Sequence, residues 1–144
     1  MRGLRIAING VFDLFHDGHK DLLNHALRFA CGGNLLILMN TDESTKKLKG
    51  DDRPVEDAKT REGAINDYVN SWCSVNGEYP YHSIVTFDTE SELLELIEQF
   101  KPDLLVKGND YTDVTKVTGY PVCSVAITPR IGVSTTEILQ KKEE

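Results

Sequence analysis

The chain reads as an α/β protein: an open parallel sheet of about five strands with helices on both faces. Three observations carry this. Short apolar runs alternate with amphipathic segments of helical period along the chain. One run, Leu35–Met39 (LLILM), is apolar at every position, as suits a strand covered on both faces. Polar segments bearing glycine follow several runs, and open parallel sheets bind ligands beyond the carboxyl ends of their strands.

The elements follow in order. Arg5–Ile8 predicts a first strand. Leu22, Leu23, Ala26, Leu27 and Ala30 share one face of a helix that Gly32-Gly33 should end. Leu35–Met39 is the second strand, bounded by Asn34 and Asn40. A basic, polar stretch to about Lys59 reads as a loop. Arg61–Trp72 suits a helix, and Ser74–His82, with Asn76-Gly77 and Pro80, reads as a long loop. Ser83–Phe87 predicts the third strand. Leu93, Leu94, Leu96, Ile97 and Phe100 mark an amphipathic helix, with Thr89 and Glu92 placed for a capping box. Leu104–Val106 and Val122–Ile127 are the fourth and fifth strands, and a short helix should start at Ser134.

With 144 residues the chain is expected to form one domain, 1–144. A hydrophobic fraction of 40% and a charged fraction of 27% are those of a globular protein. No run approaches the ~18 apolar residues of a membrane span, and the N-terminus lacks a signal-peptide pattern, so a cytoplasmic location is expected. Cys31, Cys73 and Cys123 are odd in number and far apart, which speaks against a disulfide framework or a zinc site. A net charge of −7 disfavours a general nucleic-acid binder, and a small polyanion would need a local basic pocket. Base is concentrated at Lys46, Lys47, Lys49, Arg53, Lys59 and Arg61.

Four segments carry chemistry. After the first strand come Gly10, Val11, Phe12 and Asp13, then His16 and His19 around Gly18, at a helix entry. Helix N-termini attract phosphate, glycine lets it approach the backbone, and two histidines can donate hydrogen bonds to its oxygens. The second segment, Asn40–Pro54, suits a lysine-rich loop that closes over a triphosphate, or a plain solvated charge run. The third is Lys107, Gly108, Asn109 and Asp110, a turn after the fourth strand. The fourth runs from Pro129 to Glu137. There Ser134, Thr135 and Thr136 open a helix, with Ser134 and Glu137 fitting a capping box. Arg130 suits either a bidentate phosphate contact or simple exposure. Neither GxGxxG nor GxxxxGK[ST] occurs, which argues against dinucleotide and P-loop sites.

GVFDLFHDGH resembles the HxGH signature of the cytidylyltransferase-like nucleotidyltransferases, and VSTTEI resembles their second signature. The resemblance covers nearly the whole chain. It implies a Rossmann-like fold and nucleotidyl transfer with release of pyrophosphate. NTDESTKKLKGDDRPV and KPDLLVKGNDY resemble the adenylyltransferase part of bifunctional ADP-heptose synthesis enzymes, which implies ATP and heptose 1-phosphate as substrates. The ending PR-x-G-x-STT resembles that of glycerol-3-phosphate cytidylyltransferases, the alternative reading. LKGDDRP and VKGNDY argue against phosphopantetheine or nicotinamide mononucleotide adenylyltransferases. A nucleotide-binding regulatory protein without catalysis is the alternative of another class.

By the same resemblance, His16 and His19 act on the charge at the α-phosphorus. Lys46 or Lys49 holds the β,γ-phosphates or the leaving pyrophosphate. Ser134 and Thr135 bind the β,γ-phosphates through backbone N–H groups, and Asp13 and Arg61 are candidate phosphate or acceptor contacts. Mg²⁺ is expected on the triphosphate, held largely by phosphate oxygens and water, with no dedicated protein metal site. The expected partners are a nucleoside triphosphate and a small phosphorylated acceptor, with neither nucleic acid nor membrane, and a homodimer is the family expectation. No sugar-kinase segment is present, and 70–82 is longer than the family's usual connection.

Overall fold

The computed structural model describes residues 3–108, 114–120 and 122–128. Their elements are β1 (Arg5–Gly10), α1 (Asp17–Ala30), β2 (Asn34–Asn40), α2 (Asp42–Lys49), α3 (Ala58–Asn76), β3 (Tyr81–Phe87), α4 (Glu90–Phe100), β4 (Leu104–Lys107) and β5 (Ser124–Ile127), with a 3-10 turn at Val114–Lys116. The strands form one sheet in the order β3-β2-β1-β4-β5. Every pairing is parallel, with Ile8 opposite Ile37 and Ile37 opposite Ile84. This is the expected α/β sheet.

Alternation along the strands makes two cores. Ile6, Ile8, Leu35, Ile37, Met39 and Val106 face α1 and α3, meeting Leu23, Leu27, Ile65, Val69 and Trp72. Ala7, Leu36, Leu38 and Leu105 face the other way, onto Leu93 and Ile97 of α4 and Val117. The apolar run of β2, which pairs with β1 on one side and β3 on the other, therefore supplies both layers.

Several boundaries differ from the sequence expectation, among them the start of β3, at Tyr81 rather than Ser83. The stretch read as a basic loop contains α2. Thr41 caps it by accepting from the Ser44 N–H at 3.0 Å, while Asp42 and Glu43 sit in its first turn and Lys46, Lys47 and Lys49 in its last. That charge order suits the helix dipole, and it is invisible to a search for apolar periodicity. Next, α3 runs four residues past Trp72, because Trp72 and Cys73 are buried and extend its packed face. Asn76-Gly77 is then the helix end, with Gly77 in the left-handed region at φ 69°, rather than part of a long loop. Finally, β5 starts at Ser124 instead of Val122. The helix expected from Ser134 lies outside the described residues.

Helix ends set the loops. Asp57 caps α3, accepting from the Thr60 N–H at 2.8 Å, and hydrogen bonds from Thr60 hold its carboxyl below the usual range. Thr89 caps α4, and Glu92 reaches back to the Asp88 N–H at 3.0 Å. After α1 the left-handed residue is Cys31, at φ 49°, followed by Gly32. Gly33 lies so close to the chain that a Cβ there would sit 2.3 Å from the Leu4 carbonyl oxygen, so only glycine fits where β2 begins.

Candidate active site

A cavity of about 430 Å³ opens across the carboxyl ends of four adjacent strands. Gly10 of β1, Asn40 of β2, Phe87 of β3 and Lys107 of β4 all reach it. It spans the junction of β1 and β4, where the strand order reverses and where α/β sheets place their ligands.

The loop from Val11 to His16 forms its floor. Phe12 and Leu14 both adopt left-handed backbone, at φ 58° and 56°. Such strain in non-glycine residues persists only where the surroundings enforce it, and it clusters at functional sites. Here Phe12 is buried against the His19 ring, 5.3 Å between centroids, and the Leu14 N–H donates to the Glu56 carboxylate at 3.1 Å.

The two histidines cap α1 reciprocally. His16 Nδ1 accepts from the Gly18 N–H at 3.1 Å, and His19 Nδ1 accepts from the His16 N–H at 3.2 Å. Their rings stack with centroids 3.7 Å apart and planes 18° from parallel, and Phe15 stacks on the far side of His19 at 6.0 Å. An Nδ1 that accepts cannot carry the proton, so in the neutral rings the proton sits on Nε2. Both rings line the cavity. The pair thus brings two N–H donors to a helix N-terminus that already favours anions.

Basic groups stand on both sides of this pair. Lys107 is buried and donates to the Asn9 side-chain oxygen at 3.0 Å. Lys49, in the last turn of α2, lines the cavity, as does Arg53, which is only 8% exposed. Gly10, Val11, Phe12, Asp13, His16, Gly18, His19, Lys49, Lys107 and Gly108 all line this one cavity.

Other expected residues are placed differently. Lys46 is exposed on α2 and does not line the cavity. Arg61 is fully buried and lies behind the wall. Its guanidinium donates to the carbonyls of Glu56, Val11 and Asn40 at 3.1, 2.8 and 3.0 Å, and to the Asp42 carboxylate at 2.6 Å. It ties together the segments that frame the cavity. Asp13 reaches the cavity wall, but its carboxylate accepts from the Val55 and Glu56 N–H groups at 2.8 and 3.0 Å and from Arg53 at 3.4 Å. Asn109, Asp110, Arg130, Ser134, Thr135 and Thr136 lie outside the described residues.

Sequence reasoning missed Phe87 and Asp88, and within the Asn40–Pro54 segment it did not single out Asn40, Ser44 and Arg53 as wall residues; all five are on the cavity wall. Arg53 stood in the basic cluster, and Phe87-Asp88 follows a strand. The rule that ligands gather at strand ends was available for both.

Among the described residues, no three His, Cys, Asp or Glu side chains form a group able to hold a metal ion. No helix there is long and apolar enough to cross a membrane.

The sequence profile described as Cytidylyltransferase-like matches residues 7–141. The bifunctional protein HldE of Caulobacter vibrioides is 40% identical over 97% of this chain and 28% of its own length. That of Campylobacter jejuni subsp. doylei is 38% identical over 94% of this chain and 27% of its own. The chain therefore spans about a quarter of the length of these relatives. In fold it is similar to the crystal structure of the lipopolysaccharide core biosynthesis protein from Thermoplasma volcanium GSS1. The TM-score is 0.57 and the identity 19%, over 92% of this chain and 99% of that one.

Proposed function

The chain belongs to the cytidylyltransferase-like family, and from that membership we propose that it transfers AMP from ATP to heptose 1-phosphate. An oxygen of the acceptor's phosphate bonds to the α-phosphorus. The bond from that phosphorus to the α,β-bridging oxygen breaks, and pyrophosphate leaves with the electron pair. The acceptor phosphate is already ionised near neutral pH, so catalysis needs positioning and charge stabilisation more than a strong base.

The observation that carries this reading is the reciprocal cap of His16 and His19. It presents Nε2–H donors at a helix N-terminus, over the strand ends where a nucleotide's phosphates would lie. Lys49 and Lys107 offset phosphate charge. Gly108, with Asn109 and Asp110 after it, serves the nucleotide, and Arg130 with Ser134, Thr135 and Thr136 serves the phosphates from the far end of the chain. Nucleotidyl transfer implies a divalent cation. Mg²⁺ would enter on the triphosphate, where it would supply charge neutralisation. ATP and the heptose are favoured by the KLKGDDRPV and LLVKGNDY stretches and by the identity to the HldE proteins.

The test is pyrophosphate release with ATP or CTP, each with heptose 1-phosphate or glycerol 3-phosphate, in Mg²⁺. Turnover is expected with ATP and the heptose. Turnover only with CTP and glycerol 3-phosphate would transfer the assignment to a cytidylyltransferase, and nucleotide binding without turnover in any pair would leave a regulatory binder.

A further inference from the structure

Arg53 is a charge placed at the cavity with most of its hydrogen-bonding capacity unassigned. It is only 8% exposed, yet among the described residues its guanidinium is tied at Nε alone, 3.4 Å from Asp13. Asp13 shares its carboxylate with two backbone N–H groups. Arginine cannot shed its proton, and since no buried side-chain nitrogen among the described residues lacks a partner, its two terminal nitrogens are accessible from the cavity. The two terminal nitrogens form a fork matched to a phosphate's paired oxygens. The loop that carries them is anchored on both sides, by the Arg53 N–H to the Gly50 carbonyl at 3.1 Å and by Asp13 to Val55 and Glu56. The fork is therefore in place before any ligand arrives.

The sheet order says which phosphate it meets. The histidines line the cavity from the segment that follows β1, the strand between β2 and β4. The switch point, where a nucleotide belongs, lies between β1 and β4, on the side of Lys107 and Gly108. In-line attack then brings the acceptor from another direction. The flank left for it is that of β2 and β3, whose ends and following segments bring Asn40, Ser44, Lys49, Arg53 and Phe87 to the cavity. We propose that Arg53 is the binding residue for the phosphate of the acceptor, an inference that rests on the nucleotidyltransferase reading above.

Two measurements test it on the full chain. In steady state, Arg53→Ala should raise KM for heptose 1-phosphate about tenfold or more while KM for ATP stays within about twofold. Arg53→Lys, which keeps the charge but not the fork, should fall between. A rise confined to the KM of ATP would assign Arg53 to the triphosphate and overturn the proposal, as would no change in either. The second measurement needs no turnover. Inorganic phosphate is titrated calorimetrically into enzyme saturated with α,β-methylene ATP. Phosphate binding in the wild type that weakens about tenfold in Arg53→Lys supports the proposal. Equal phosphate binding in both, or none in the wild type once the analogue is bound, overturns it. Failure of the analogue itself to bind would instead remove the nucleotidyltransferase reading, and the proposal with it.

Discussion

At the scale of the residue, the main chain places the site's protons. His16 and His19 each accept a backbone N–H at Nδ1, so Nε2 is the donor in both neutral rings. His19→Ala removes that donor, the His16 cap partner and a stacked ring together, and it should lower kcat by about 10²–10³-fold. His19→Asn separates the roles. Its amide oxygen lies near the position of Nδ1 and keeps the cap, while nothing replaces Nε2. It should lose turnover to a similar degree with little loss of melting temperature. Normal kcat in both variants would remove His19 from the chemistry. These histidines were legible in the sequence because both lie within one turn of the same helix. Phe87 and Asp88 were not, because they stand at the end of β3, and only the order of strands brings that end to the cavity.

At the scale of the element, α2 shows why part of the fold escaped the sequence. Its buried face is only Ser44 and Thr45, so no apolar stripe announces it. What holds it is polar. The Thr41 hydroxyl accepts from Ser44 N–H and donates to Asp88 at 2.8 Å, Thr45 donates to the Thr41 carbonyl at 2.8 Å, and Asn40 donates to the Ser44 hydroxyl at 2.9 Å. Thr41→Ala should therefore cost about 1–2 kcal/mol in urea unfolding, in the range of a lost N-cap, while Thr41→Ser should stay close to wild type. An alanine variant as stable as the wild type would show that the cap contributes nothing. By contrast, the five strands and the face of α1 were legible, because burial on the sheet imposes apolar periods of two and of three to four residues. The α3 end was misread for a local reason: Asn-Gly is as good a helix terminus as a turn, and only the burial of Trp72 and Cys73 decides between them.

At the scale of the whole molecule, the parallel sheet gives two cores on opposite faces and one open edge of strand ends where the cavity lies. Ligand binding at that edge joins segments from both halves of the sheet, so it should raise the stability of the entire fold. A nucleotide at a hundred times its Kd adds about 2.7 kcal/mol, which for a chain of this size is a shift of about 5–10 °C. Differential scanning fluorimetry in Mg²⁺ should show such a shift with ATP and a smaller one with CTP at the same concentration. Equal shifts would withdraw the preference for adenine.

Arg61 carries a consequence for how such a site changes over generations. Three of its four partners are backbone carbonyls, those of Val11, Asn40 and Glu56. A carbonyl is present whatever side chain the position bears, so the loops around the cavity keep their spacing as their side chains are exchanged. One buried arginine thus holds the frame of the cavity without depending on which side chains line it.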